Sequence, residues 1–213
     1  MGLIEQRVLS DHVYENIRLM IQDRILKPGE KVNKRTLEEQ LGVSQTPIND
    51  ALIRLAGEKI IEQRNRRGFF VRMYACNELI DLFAARAAIE GMAARLAVEH
   101  ISDEQIRSLA GFFADFSFPL SDPAFKDYEK ADREFHVSII RYSGNELIQE
   151  INRQFGYIVR AASTGLVRPP EETIMEHQDI VSAIEKRDKK AAGEKMTEHF
   201  MLSRDYLIQH CSD

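Results

Sequence analysis

Apolar residues recur at helical spacing through most of the chain. In residues 11–26 Val13, Ile17, Met20, Ile21 and Ile25 fall on one face, and Lys27-Pro28-Gly29 closes the helix. A short second helix over 34–41 is stopped by Gly42. A third opens at Ser44 or Gln45, with Pro47 tolerated in its first turn and Ile48, Ala51, Leu52 and Leu55 in period. The pattern then changes. Residues 60–64 read as a strand, Asn65-Arg66-Arg67-Gly68 as a turn, and 69–72 as the return strand.

From about Asn77 onward the spacing is helical only, with helices at roughly 77–100, 103–117, 123–143, 145–166, 170–187 and 189–210. Ser102-Asp103, Pro119 to Pro123, Ser143-Gly144-Asn145, Pro169-Pro170 and Asp188 mark the breaks. The predicted fold class is therefore mainly α. A winged helix-turn-helix of three helices and a β-hairpin, residues 1–74, precedes an all-α antiparallel bundle of about six helices, residues 75–213.

Charge sharpens this division. The chain of 213 residues has a net charge of −5, which by itself argues against nucleic acid. Residues 1–74 nevertheless carry 13 Lys+Arg against 10 Asp+Glu, and residues 75–213 carry 16 against 24. A basic front and an acidic back suit a DNA-reading module joined to one that does something else. No apolar run near the start reads as a signal peptide or membrane span. The two cysteines, Cys76 and Cys211, have neither metal nor redox spacing, which fits a reducing cytoplasm.

Residues 36–48 follow helix-turn-helix logic. Leu37, Leu41 and Val43 pack the two helices, Gly42 permits the turn, and Ser44-Gln45-Thr46 begins the helix that would enter the major groove. Together with Leu-Lys-Pro-Gly at 26–29, Ala51-Leu52, Arg54-Leu55 and Arg67-Gly68-Phe69-Phe70-Val71, this stretch resembles the GntR family of bacterial regulators over residues 11–73. The resemblance implies that Arg35, Ser44, Gln45, Thr46 and Asn49 face DNA. It also implies that the wing near Arg66, Arg67 and Gly68 lies along the minor groove. Arg35, Arg66 and Arg67 are expected on phosphates, which take most protein–DNA contacts. The family usually has arginine where this chain has Asn49, and often where it has Gln45. Arginine reads guanine, whereas Asn and Gln suit adenine, so an operator shifted toward A·T pairs is expected.

The back half carries polar residues where apolar ones belong. The inward stripe of helix 123–143 is Phe125, Tyr128, Asp132, Phe135, His136 and Ile139, with Asp132 and His136 one turn apart. Helix 170–187 shows Ile174, His177, Val181 and Ile184. Helix 189–210 shows Ala192, Met196, His199, Ser203 and Tyr206. One buried histidine is usually a hydrogen-bonded core residue. Three such helices, one with an added carboxylate that is costly to bury, point to a shared divalent cation. One Asp and three His suit Zn²⁺, or Ni²⁺ or Mn²⁺. Helix 77–100 places Arg86 and Glu90 amid Leu79, Leu82, Phe83, Ala93 and Ala97. This is either an ion pair one turn apart or an arginine aimed at a ligand carboxylate.

With Ala-Ala-Arg-Leu-Ala at 93–97, Ser143-Gly144-Asn145 and Glu176-His177-x2-Ile180, these residues resemble the FCD domain of FadR-like GntR regulators over about 77–207. Six helices after the hairpin suit the shorter, VanR-like subgroup. The resemblance implies a metal on Asp132, His136, His177 and His199, an organic-acid effector met by Arg86 and Glu90, and a homodimer on a palindromic operator, most often as a repressor. Two other readings stay open: a metal with a purely structural role, and a metal-dependent hydrolase. No general base or catalytic motif supports the hydrolase, so the chain is read as a non-enzyme.

Overall fold

The computed structural model describes residues 3–153 and 166–211. The described residues fall into two compact units that part between Tyr74 and Ala75.

The first unit holds α1 (Leu3–Gln22), α2 (Lys34–Leu41), α3 (Gln45–Gly57), β1 (Ile61–Arg64) and β2 (Gly68–Val71). Local chemistry fixes the bounds of α2. The Asn33 side chain accepts from the N–H groups of Arg35 and Thr36, and Gly42 closes the helix at φ 64° with its N–H on the Glu38 carbonyl. The strands are antiparallel, with Ile61 opposite Val71 and Arg64 opposite Gly68. Val13, Ile17 and Ile21 of α1 join Leu37, Ile48, Leu52, Leu55, Phe69 and Val71 in one core. The helix expected at 11–26 lies earlier, because the backbone turns at Arg24 (φ 57°) and the Leu26 N–H reaches back to the Met20 carbonyl. Ile25, assigned to the inward face, therefore points to solvent, and Leu26 takes its place in the core.

The second unit holds α4 (Cys76–His100), α5 (Asp103–Gly111), α6 (Asp122–Tyr142), α7 (Pro170–Glu185) and α8 (Lys189–His210), with residues 146–153 also helical. The rest of the helix expected over 145–166 lies outside the described residues from 154 on. Ser102 and Gln105 exchange side-chain and backbone hydrogen bonds to start α5. That helix ends at Gly111 instead of 117. The chain tightens into turns there, and Phe113 swings into the core to stack on His177 at 4.5 Å.

Helices α4 and α8 run closely together because each presents a glycine to the other. A Cβ on Gly91 would sit 2.1 Å from Thr197 Oγ1, and one on Gly193 would sit 3.1 Å from the Gly91 carbonyl. The two cysteines also correct the sequence reading. Cys76, which begins α4, and Cys211, which follows α8, form a disulfide across 135 residues of chain. A separation that long gives no spacing signal, so the cysteines carry no argument for a reducing compartment. Among the described residues, no helix is long and apolar enough to cross a membrane.

Candidate metal centre and DNA-reading surface

Helices α6, α7 and α8 bring His136, His177 and His199 together. One ring nitrogen from each lies within 4.8 Å of the others, and all three residues are buried. Ring centroids are 4.7 to 5.3 Å apart. Asp132, one turn before His136, brings Oδ1 to 3.4 Å from His177 Nε2. It is only partly buried, contrary to the expectation of a fully desolvated carboxylate. Among the described residues the fully buried carboxylate is Glu90, 1% exposed.

Two of the three imidazoles are held from behind by a hydrogen bond. His199 Nδ1 lies 2.7 Å from Glu176 Oε2. A carboxylate only accepts, so the proton sits on Nδ1 and the Nε2 lone pair is free. His177 Nδ1 meets the Tyr128 hydroxyl at 3.4 Å, and Tyr128 shares a 2.9 Å hydrogen bond with Thr173. His136 Nδ1 lies 3.0 Å from Glu90 Oε2, too oblique for a formed hydrogen bond, so both atoms are buried without one. The other Glu90 oxygen accepts from Arg86 Nε at 2.7 Å. Glu90 thus lies between Arg86 and His136, paired with the first and within 3.0 Å of the second. Arg86 lies over the Phe200 ring at 4.2 Å and is nearly buried.

Sequence reasoning missed a second layer. Arg168, in the break before α7, is buried and pairs through both terminal nitrogens with Glu176, while its Nε donates to Ser203 Oγ. Glu176 was visible only as the residue before His177; its partners lie on other segments, so helical period could not assign its role. Nor could it assign Arg168.

Electrostatics agree with this layering. Burial pushes the Glu176 carboxyl upward, but hydrogen bonds from His199 and Arg168 outweigh it and hold the pKa near about 2. Burial likewise raises Glu90, yet the charges of Arg86 and His136 bring it to about 2. Burial drives His177 well below the usual histidine value, helped by repulsion from His199, His136 and Arg168. Burial also lowers His199, against the pull of Glu176. Both shifts favour the neutral imidazole, the form that ligates metals.

The donor set fits a divalent cation. His177 Nε2 is fully buried and makes no hydrogen bond, the Asp132 oxygen 3.4 Å away included, which carries a desolvation cost. A cation shared by three imidazole nitrogens and the adjoining Asp132 carboxylate would remove that cost.

In the first unit, Ser44, Gln45 and Thr46 are exposed at the start of α3, and Asn49 is half-buried one turn on. Gln45 donates through Nε2 to Glu38 at 3.2 Å. Asn49 accepts through Oδ1 from Lys34 Nζ at 2.5 Å. Arg35 is exposed and paired with Glu39 at 3.2 Å. Arg66 and Arg67 are exposed at the tip of the hairpin, where Arg66 (φ 53°) and Gly68 (φ 100°) take left-handed backbone. Lys34 and Glu38 were not singled out from the sequence, since their contacts cross from α2 to α3.

Comparison with known proteins bears on both units. Residues 9–71 match bacterial regulatory proteins of the gntR family, and residues 81–201 match the FCD domain. The Nta operon transcriptional regulator of Aminobacter aminovorans is 28% identical over 183 residues, covering 86% of this chain and 87% of its own. The HTH-type transcriptional repressor RspR of Escherichia coli K12 is 26% identical over 194 residues, covering 90% of this chain and 85% of its own. The solved structure of E. coli McbR/YncC superposes with a TM-score of 0.73 at 21% identity, covering 94% of this chain and 97% of that one, which speaks to fold. These relatives are regulators and not enzymes, which disposes of the hydrolase reading. The chain belongs to the GntR family of bacterial regulators, a DNA-binding transcriptional regulator with a winged helix-turn-helix and an FCD domain.

Proposed function

We propose that this regulator is a repressor whose hold on a palindromic operator is controlled by a small organic acid bound at a metal in the FCD domain. The metal, Zn²⁺ by choice of ligands with Ni²⁺ or Mn²⁺ as alternatives, is held by Asp132, His136, His177 and His199. Arg86, fixed by Glu90 beside the ligand His136, meets the acid. A homodimer presents two copies of α3 to successive major grooves, with Arg35, Ser44, Gln45, Thr46 and Asn49 facing DNA. Arg66, Arg67 and Gly68 of the wing lie along the minor groove. Operator DNA as partner fits a cytoplasmic protein, and six helices among the described FCD residues suit the VanR-like subgroup.

The reading rests chiefly on the three converging imidazoles, with the buried His177 Nε2 left without a partner. Metal content of purified wild-type protein, by native and elemental mass spectrometry, should be about one ion per chain. It should be lost in His136→Ala and His177→Ala. Full metal content in both variants would overturn the assignment. A melting temperature that responds to chelator but to no carboxylate would leave the metal structural and remove the effector.

A further inference from the structure

The amide of Asn49 is not free to read either polarity. Lys34 Nζ stands 2.5 Å from Asn49 Oδ1. An ammonium only donates, so the amide oxygen must face Lys34 and the amide nitrogen must point away, whichever way the group is first drawn. Lys34 is itself steadied. It is the first residue of α2, half-buried, with Nζ 5.2 Å from the centre of the Phe69 ring on the wing. Helix α2, helix α3 and the wing thus converge on one cation. Gln45 is polarised the opposite way, because Glu38 can only accept and takes its Nε2.

We infer that Lys34 and Asn49 act as one composite donor that selects guanine in the operator. The inference rests on the reading that this end of α3 faces the base edges. Asn49 Nδ2 and the Lys34 ammonium together offer only donors. In the major groove guanine shows two acceptors, N7 and O6, whereas adenine shows N7 beside the N6 amino donor. A free asparagine pairs with adenine by using both its oxygen and its nitrogen. Here the oxygen is engaged by a cation, which the adenine amino group would meet unfavourably. Two residues from two helices thereby supply what a single arginine supplies in the usual family pattern. The expectation of an A·T shift at this position gives way to G·C.

Selection of sites from a random duplex pool with the full-length protein tests this. Affinities for the best site and for its guanine-to-adenine variant at the position facing Asn49 then follow. Wild type should prefer guanine there by roughly five- to a hundredfold. Lys34→Met, which keeps the stem and removes the charge, should flatten that preference while leaving the other positions unchanged. Each ratio comes from one preparation, so a reduced folded fraction cancels. Adding Asn49→Arg to Lys34→Met should restore guanine. Adenine at that position in wild-type sites would overturn the proposal. So would a Lys34→Met loss that is equal for every sequence, the mark of a phosphate contact. A pool that enriches nothing would remove the operator reading as well.

Discussion

At the residue scale, the candidate centre is defined by which ring nitrogen each histidine keeps free. Glu176 settles this for His199, because its carboxylate claims the Nδ1 proton, and Arg168 holds Glu176 in turn. Glu176→Gln keeps the shape but lets the amide present either polarity to His199. Partners of this kind usually contribute about 10- to 100-fold in metal affinity. Titration with Co²⁺ should show weaker binding in that range, together with a shifted visible absorption band. An unchanged spectrum and affinity would make the Arg168–Glu176 pair a packing feature only. The three clustered histidines were legible in the sequence because each sits at a core position of a helical period, where a polar residue is conspicuous. The supporting residues were not. Tyr128 looks like ordinary core, Arg168 lies in a loop, and Glu176 acts on a different helix from its own.

At the element scale, local signals placed most ends well. Asn33, Gly42, Ser102 and Asp188 act on backbone groups within three or four residues, so the chain itself states where those helices begin or stop. Ends set by tertiary packing were missed. α5 stops early so that Phe113 can join Tyr128, Phe135 and His177. The close approach of α4 and α8 was equally hidden, since Gly91 and Gly193 read only as weak helix formers. Gly91→Ala should improve helix propensity by about 1 kcal/mol. It would also force a Cβ to 2.1 Å from Thr197 Oγ1 and 3.2 Å from the Gly193 carbonyl. Overpacking of that kind costs about 1–3 kcal/mol and should win, lowering the melting temperature. Gly91→Ala with Thr197→Ala should recover part of the loss; no recovery would place the strain in the backbone. The disulfide between the ends of α4 and α8 predicts no free thiol in denatured, unreduced protein. Cys76→Ser with Cys211→Ser should cost about 2–4 kcal/mol of stability. A thiol titration finding two free groups per chain would remove the cross-link.

At the scale of the whole molecule, an acid in the FCD domain can alter DNA binding only if it binds one DNA-binding arrangement more tightly than another. Linkage then works in both directions. If the acid weakens operator affinity by some factor, operator DNA weakens acid affinity by the same factor, about 5- to 150-fold for couplings of ordinary size. Titrating full-length protein with operator in the presence and absence of acid, and with acid in the presence and absence of operator, should give equal ratios. Chelation, which would strip the proposed ion from His136, His177 and His199, should bring both ratios to one while leaving operator binding itself intact. That last outcome separates the two units by role. On that outcome the first would read DNA through groups that need no metal, Lys34, Asn49 and the wing arginines. The second would contribute only a bias. Operator affinity that ignored every acid tested, with the metal fully loaded, would confine the centre to holding α6, α7 and α8 together.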